Sequence, residues 1–239
     1  ACVELVEDGC DLIFADSFGH EEFVIKAAEE YPDVQFFHAT GNNAKIVDLD
    51  NFHNAFASIY EGRYLAGVVA GLKLNEMIDN GTITAEEAVI GYVAAFYFEE
   101  VISGFSAFYL GARSVCPSAT MITLKADSWS DPVKEGQIAQ SLIDQGAVLI
   151  SQHSDNPSPA TTAEAAGLFH CGYNSDMASA APAASTPSFS GQVVNMAGKQ
   201  EVVLFHAKTF GDATKAADEL RNKKAVILNM ENVDKALTR

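Results

Sequence analysis

Residues Val6-Glu7-Asp8-Gly9-Cys10-Asp11-Leu12-Ile13-Phe14-Ala15-Asp16-Ser17 and residues Ile143-Asp144-Gln145-Gly146-Ala147-Val148-Leu149-Ile150-Ser151-Gln152-His153-Ser154 follow one plan. Each copy reads as a helix end, a glycine stop and a short apolar run that marks a buried strand. The likeness continues downstream. A second helix carries Ala27-Ala28-Glu29-Glu30 in one copy and Ala163-Glu164-Ala165-Ala166 in the other, and the next strands end Phe37-His38-Ala39-Thr40-Gly41 and Phe169-His170-Cys171-Gly172-Tyr173. Two similar α/β lobes are expected, holding a ligand between them at the carboxyl ends of the strands.

Outward from the repeat, the runs Leu12-Ile13-Phe14, Val34-Gln35-Phe36-Phe37, Val89-Ile90-Gly91-Tyr92-Val93, Met121-Ile122-Thr123-Leu124 and Val148-Leu149-Ile150 alternate with helical patterns. This predicts parallel sheets covered on both faces. Thr84-Ala85-Glu86-Glu87 has the form of a capping box, and Asp131-Pro132 places an N-cap before a proline at the first helical position. A helix from about Ile59 to Ile78 carries Gly62, Gly67 and Gly71, which lower its propensity but permit close approach of another backbone; packing on the sheet is the expected use.

The chain has 239 residues, 48% of them hydrophobic, enough to bury a core in one large domain or two small ones. Its 15 basic against 32 acidic side chains argue against nucleic acid as a partner, since phosphate contacts need clustered Lys and Arg. No run reaches the roughly 20 apolar residues of a membrane span. Ala1-Cys2-Val3-Glu4-Leu5 reads as the tail of a helix, so the chain is expected to start inside a βαβ unit. Cys2, Cys10, Cys116 and Cys171 lack C-x-x-C spacing and read as free thiols rather than zinc ligands.

From Ala178 to Gln200 Ala, Ser and Pro dominate and amphipathic periodicity ends, which reads as a linker. Charge changes with it. Residues 1–200 hold 8 basic and 26 acidic side chains, residues 201–239 hold 7 and 6. The tail reads as strand (Glu201 to Lys208), helix (Phe210 to Asn222) and strand (Ala225 to Met230), then the start of a helix from Asp234 to Arg239. The expected organisation is a first α/β lobe over 1–88, a second over 89–180, a linker over 181–200 and a β-α-β segment over 201–239.

Five motifs occur in order: Ile59-Tyr60-Glu61-Gly62-Arg63-Tyr64-Leu65-Ala66-Gly67-Val68-Val69-Ala70-Gly71, Ile90-Gly91-Tyr92-Val93-Ala94-Ala95-Phe96, Ser128-Trp129-Ser130-Asp131-Pro132, Gln152-His153-Ser154-Asp155 and Tyr173-Asn174-Ser175-Asp176-Met177. Over residues 1–182 the chain thereby resembles the BMP (basic membrane protein) family of substrate-binding lipoproteins of ABC importers, the PnrA-like proteins. The resemblance implies a type I periplasmic-binding-protein fold, an ABC permease as partner, a purine nucleoside or nucleobase as ligand, and an extracytoplasmic, lipid-anchored location. Set against that family, the chain reads as truncated at both ends: the opening strand of the first lobe and the strands after Pro182 are lacking, as are the signal and anchor. Residues 201–239, from Phe205-His206-Ala207-Lys208 to Asp234-Lys235, are similar to the first half of the core of SepF, a division protein that tethers FtsZ filaments to membrane. That likeness implies an FtsZ contact and a fusion joint before the tail.

A purine offers a flat π surface and polar edges, so its receptor needs aromatic faces and carboxylates or amides. Phe18, Phe96, Tyr97 and Trp129, the only tryptophan, stand at predicted strand ends with Asp16, Asp131, Asp155, Asn174 and Asp176. Each has a structural alternative: Asp131, Asp16 and Asp155 as helix caps, Trp129 as core, Asp176 as a turn residue. The resemblance places a ribose- or base-binding carboxylate at Asp176. His38 and His170 occupy matching places in the two repeats and suggest either a metal pair or hydrogen-bonded core residues. An enzyme is the rival class, but G-x-S-x-G, a phosphate loop and H-E-x-x-H are missing, and Asp48-Leu49-Asp50 alone is similar to the aspartate cluster of nucleoside hydrolases. No catalytic residue, cofactor or metal site is assigned.

Overall fold

In the computed structural model of the protein, Gly9 and Gly146 end their helices in the left-handed region, at φ 89° and 95°. Helices α1 (Cys2–Glu7) and α5 (Pro132–Asp144) close with the same pair of bonds. Gly9 N–H donates to Val6 O and Cys10 N–H to Leu5 O, at 2.9 and 3.0 Å; Gly146 N–H donates to Ile143 O and Ala147 N–H to Leu142 O, at 2.8 and 3.0 Å. This Schellman cap satisfies open carbonyls and turns the chain into strands β1 (Leu12–Ala15) and β6 (Leu149–His153). Residues 1–184 are described, together with the strands at 195–196, 200–206 and 225–229.

The chain divides into two compact units, Ala1–Ile59 and Tyr60–Arg239. In the first, β1, β2 (Gln35–Ala39) and β3 (Phe52–Ala55) form a parallel sheet in that order. Ile13 lies opposite Phe36 and Phe36 opposite Phe52, so one face presents all three to Val24, Ala27 and Ala28 of α2 (Glu21–Glu30). The alternate residues point the other way, leaving Leu12 and Phe14 58% and 65% exposed, with the Phe14 ring stacked on Phe37 at 5.5 Å. Among the described residues of this unit, coverage of both faces, expected from the apolar runs, is not found for this sheet.

The second unit shows it in full. Its sheet runs β5-β4-β6-β7, all parallel, from β4 (Val89–Ala94), β5 (Thr120–Lys125), β6 and β7 (Phe169–Cys171). On one face Ile90, Tyr92 and Leu149 pack with Leu74 of α3 (Ile59–Asp79) and Phe108 and Ala112 of α4 (Glu99–Val115). On the other, Val93 and Ile150 meet Ala139 and Leu142 of α5 and Ala160 and Ala163 of α6 (Ser158–Ala165). Burying each large apolar side chain contributes about 1.5–3 kcal/mol. Helix α3 shares this core, so the division between units falls at its first residue, between 59 and 60, whereas the sequence pattern placed a boundary after residue 88.

Three local expectations change. Two of the three glycines of α3 meet a helix rather than the sheet: a methyl on Gly67 would strike the Phe108 carbonyl, and one on Gly71 the Ala112 carbonyl, both in α4. Thr84 N–H does donate to Glu87 Oε2 at 2.8 Å, but no helix follows, because the chain enters β4 at Val89. Residues 178–184 are no free linker: Ala181 and Ala184 are fully buried in the second core, and His170 N–H donates to Ala184 O at 2.7 Å.

Beyond that point, β8 (Asn195–Met196) pairs antiparallel with β9 (Gln200–His206), and β9 pairs parallel with β10 (Ala225–Asn229). The two strands expected in the tail are thus present. The expected helix from Phe210 to Asn222 and the one starting at Asp234 lie outside the described residues. Among the described residues, no helix is long and apolar enough to cross a membrane, and the four cysteines are free thiols. The described residues form an α/β fold whose sheets in residues 1–184 are parallel.

Candidate functional site

Strands β4, β5, β6 and β7 point their carboxyl ends the same way, because all four are parallel. The loops that leave them carry a run of rings. Phe96, two residues beyond β4, stacks on Phe98 at 4.7 Å and meets the edge of Trp129, beyond β5, at 5.5 Å. Trp129 lies 6.5 Å from His153 at the end of β6, and His153 lies 4.2 Å from Tyr173 beyond β7. Trp129, Phe96 and Tyr173 are half-buried, so part of each ring is open to solvent.

Polar groups bind the loops together. Asp155 N–H donates to the Trp129 carbonyl at 2.8 Å, and Asn174 Nδ2 donates to Asp155 Oδ1 at 3.0 Å. Asn174 and Asp127 hold positive φ, 65° and 53°, each within three residues of a strand end; in the first unit Ser17 and Thr40 do the same at 72° and 74°. A β-branched residue such as Thr40 is a true outlier there, and such strain gathers at functional loops. Beneath the rings His153 Nε2 donates to Glu100 Oε1 at 2.7 Å. Burial, with the Glu100 and Asp155 carboxylates adding to it, pushes the Tyr173 phenol well above its usual range.

A buried cation underlies this surface. Arg63 of α3 is 5% exposed; it donates to Gly172 O at 3.0 Å, Tyr92 Oη at 3.0 Å and Ser151 Oγ at 2.9 Å. Its guanidinium also lies over the Tyr92, Phe108 and Tyr173 rings, at 5.5, 4.9 and 5.4 Å. Burial pushes the Tyr92 phenol up to about 12.

Of the residues expected from sequence, the structure brings Phe96, Trp129, Asp155 and Asn174 together. Asp131 stands beside them, but its side chain caps α5, accepting from Lys134 N–H at 3.0 Å while its own N–H donates to Glu135 Oε1 at 2.7 Å. Asp176 closes a turn, accepting from Ser179 Oγ at 2.5 Å, and this bond holds its carboxyl below the usual range. Tyr97 directs its hydroxyl to Thr123 O on β5, at 3.1 Å. Asp16 and Phe18 lie beyond β1 in the first unit, where the Asp16 carbonyl accepts from His20 Nδ1 at 2.8 Å and Phe18 opens a short 3-10 turn. Glu100, His153, Tyr173 and Arg63 were not singled out; the positions of Arg63, His153 and Tyr173 inside quoted motifs hinted at three of them, and nothing hinted at Glu100. His38 and His170 are buried and bonded through Nε2, to Ser17 O and Gln152 Oε1, and among the described residues no group of three potential ligands surrounds a metal position.

The chain as a whole is similar to known proteins. Residues 2–197 match the family described as ABC transporter substrate-binding protein PnrA-like. A purine-binding protein of Brucella abortus is 37% identical over 174 residues, covering 73% of this chain and 45% of that protein. A Haloferax volcanii protein provisionally named the ABC transporter glucose-binding protein TsgA13 is 38% identical over 167 residues, covering 70% of this chain and 39% of that protein. The chain thus spans less than half the length of either relative. A solute-binding protein of an ABC transporter system from Aeropyrum pernix shares the fold at TM-score 0.57 and 14% identity, over 95% of this chain and 60% of the other. Nothing in these comparisons supports a division-protein likeness for residues 201–239 or an FtsZ contact.

Proposed function

The chain belongs to the PnrA-like family of ABC transporter substrate-binding proteins, and from that premise we propose that it captures a purine nucleoside or nucleobase outside the cytoplasmic membrane and presents it to an ABC permease. The observation that carries this reading is the ring cluster of Phe96, Trp129 and Tyr173 beside the acceptors Asp155 and Asn174. A base stacked on such a ring gains on the order of 1–3 kcal/mol. Carboxylate and amide oxygens beside it accept from exocyclic amines, ring N–H groups or ribose hydroxyls. The purine-binding relative points the same way.

The test is titration of the chain with adenosine, guanosine, inosine, the free bases and glucose, read by Trp129 fluorescence. A saturable change with a purine is expected. A response to glucose alone would transfer the chain to the sugar-binding branch represented by the Haloferax relative. No response to any purine, in a folded sample, would sink the proposal.

A further inference from the structure

His170 is 1% exposed on β7, and its Nε2 lies 3.0 Å from Gln152 Oε1. The other end of that amide, Gln152 Nε2, donates to the carbonyls of Ser154 and Asn156 at 2.9 and 2.8 Å. Two carbonyl acceptors fix which end of the amide is nitrogen, so the histidine donates and carries its proton on Nε2. Ser154 and Asn156 flank Asp155, whose N–H holds the Trp129 carbonyl at 2.8 Å and whose carboxylate accepts from Asn174. The bonds therefore run without a break from a core histidine through Gln152 to the loop against the tryptophan.

The repeat shows the same device in shorter form. His38, the counterpart of His170, is fully buried and donates from Nε2 to the Ser17 carbonyl at 2.9 Å, in the loop that leaves β1. Ser17 holds φ at 72°, a conformation that needs outside support. In both units the histidine of the later strand holds the loop of the earlier one. As plain filling, an imidazole whose Nδ1 is buried and unpaired would be a poor choice beside an apolar side chain.

We infer that His170 is a positioning residue of the ligand face, acting through Gln152 on the loop that carries Asp155 and fixes Trp129. The inference rests on reading that face as the binding surface, but the placement itself is measurable without a ligand. Acrylamide quenching of the single tryptophan is compared in the ligand-free full chain, in His170→Gln and in His170→Met. Glutamine keeps a donor near the place of Nε2, whereas methionine keeps bulk without one. His170→Met is expected to lose protection of Trp129 and His170→Gln to retain it.

Wild-type quenching in a His170→Met protein with intact far-ultraviolet circular dichroism overturns the inference, and so does equal loss in both variants. Where His170→Met does not fold, Gln152→Glu cuts the relay one link further on, keeping an acceptor toward His170 and removing the donor toward Ser154 and Asn156. Loss of Trp129 protection there supports the inference, and unchanged protection overturns it. In adenosine titrations His170→Met is expected to bind about tenfold more weakly, one hydrogen bond's worth, with recovery in His170→Gln. A wild-type chain that ignores adenosine while the quenching pattern holds would remove the purine reading and leave the positioning role standing.

Discussion

His153 Nε2 stands 2.7 Å from Glu100 Oε1, joining the end of β6 to the first turn of α4 directly under the Tyr173 ring. The imidazole is fully buried and, among the described residues, Nδ1 has no partner and the carboxylate is the one acceptor its ring N–H reaches. Glu100→Leu strands that donor in a dry site and is expected to cost about 1–3 kcal/mol, while Glu100→Gln, which keeps an oxygen there, costs less. Urea denaturation followed by circular dichroism checks it. A Glu100→Leu protein as stable as wild type would show that the pair holds nothing.

Asp131 offers a clean separation of cap from ligand contact. Its side chain satisfies Lys134 N–H at the start of α5, so Asp131→Ala is expected to lose about 0.5–2 kcal/mol of stability and Asp131→Asn to restore most of it. Thermal melting reads the cap, and adenosine titration of the same proteins reads the contact. If Asp131→Asn melts like wild type yet binds adenosine far more weakly, the carboxylate charge serves the ligand as well.

Two glycines of one helix should respond in opposite directions. Around Gly62 of α3 nothing among the described residues lies within 4 Å of an added methyl, so Gly62→Ala is expected to stabilise by about 0.5–1 kcal/mol through helix propensity alone. At Gly67 the same methyl meets the Phe108 carbonyl, so Gly67→Ala forces α3 and α4 apart and costs about 1–3 kcal/mol or more. Equal melting temperatures for the two variants would contradict the backbone contact between these helices.

The repeat was legible because its signals are local: a glycine in the left-handed region, then a short apolar run, and both Schellman caps formed as read. Asp131 was legible for the same reason, with proline behind it. Strand β3 was not, since His53 and Asn54 break the apolar run; the structure uses Asn54 to hold Ala44 N–H and Glu21. Gly67 signalled close approach correctly but not its partner, because periodicity reports which face is small and apolar, not what covers it. The same limit hid half of the ring cluster's support. Glu100 meets His153 across 53 positions and Arg63 meets Gly172 across 109, and no pattern along the chain pairs residues at such distances.

His170 also makes a pH prediction whose sign is fixed. Burial, with the Arg63 guanidinium adding to it, lowers the imidazole to about 3 in the folded protein, against 6.5 for the free side chain. Gln152, its bonded neighbour, carries no charge to offset this. Below pH 6.5 the unfolded chain binds a proton that the folded one refuses, so this residue's contribution is complete above 6.5 and is lost progressively toward 3. Within that window the loss approaches about 1.4 kcal/mol per pH unit, one proton's worth. His170→Gln has no such proton to gain, so its unfolding free energy from urea titrations at pH 7, 6 and 5 should fall less steeply than that of wild type. Parallel curves for the two proteins would mean that the imidazole takes up its proton while still folded, which the dry pocket and the unpaired Nδ1 both oppose.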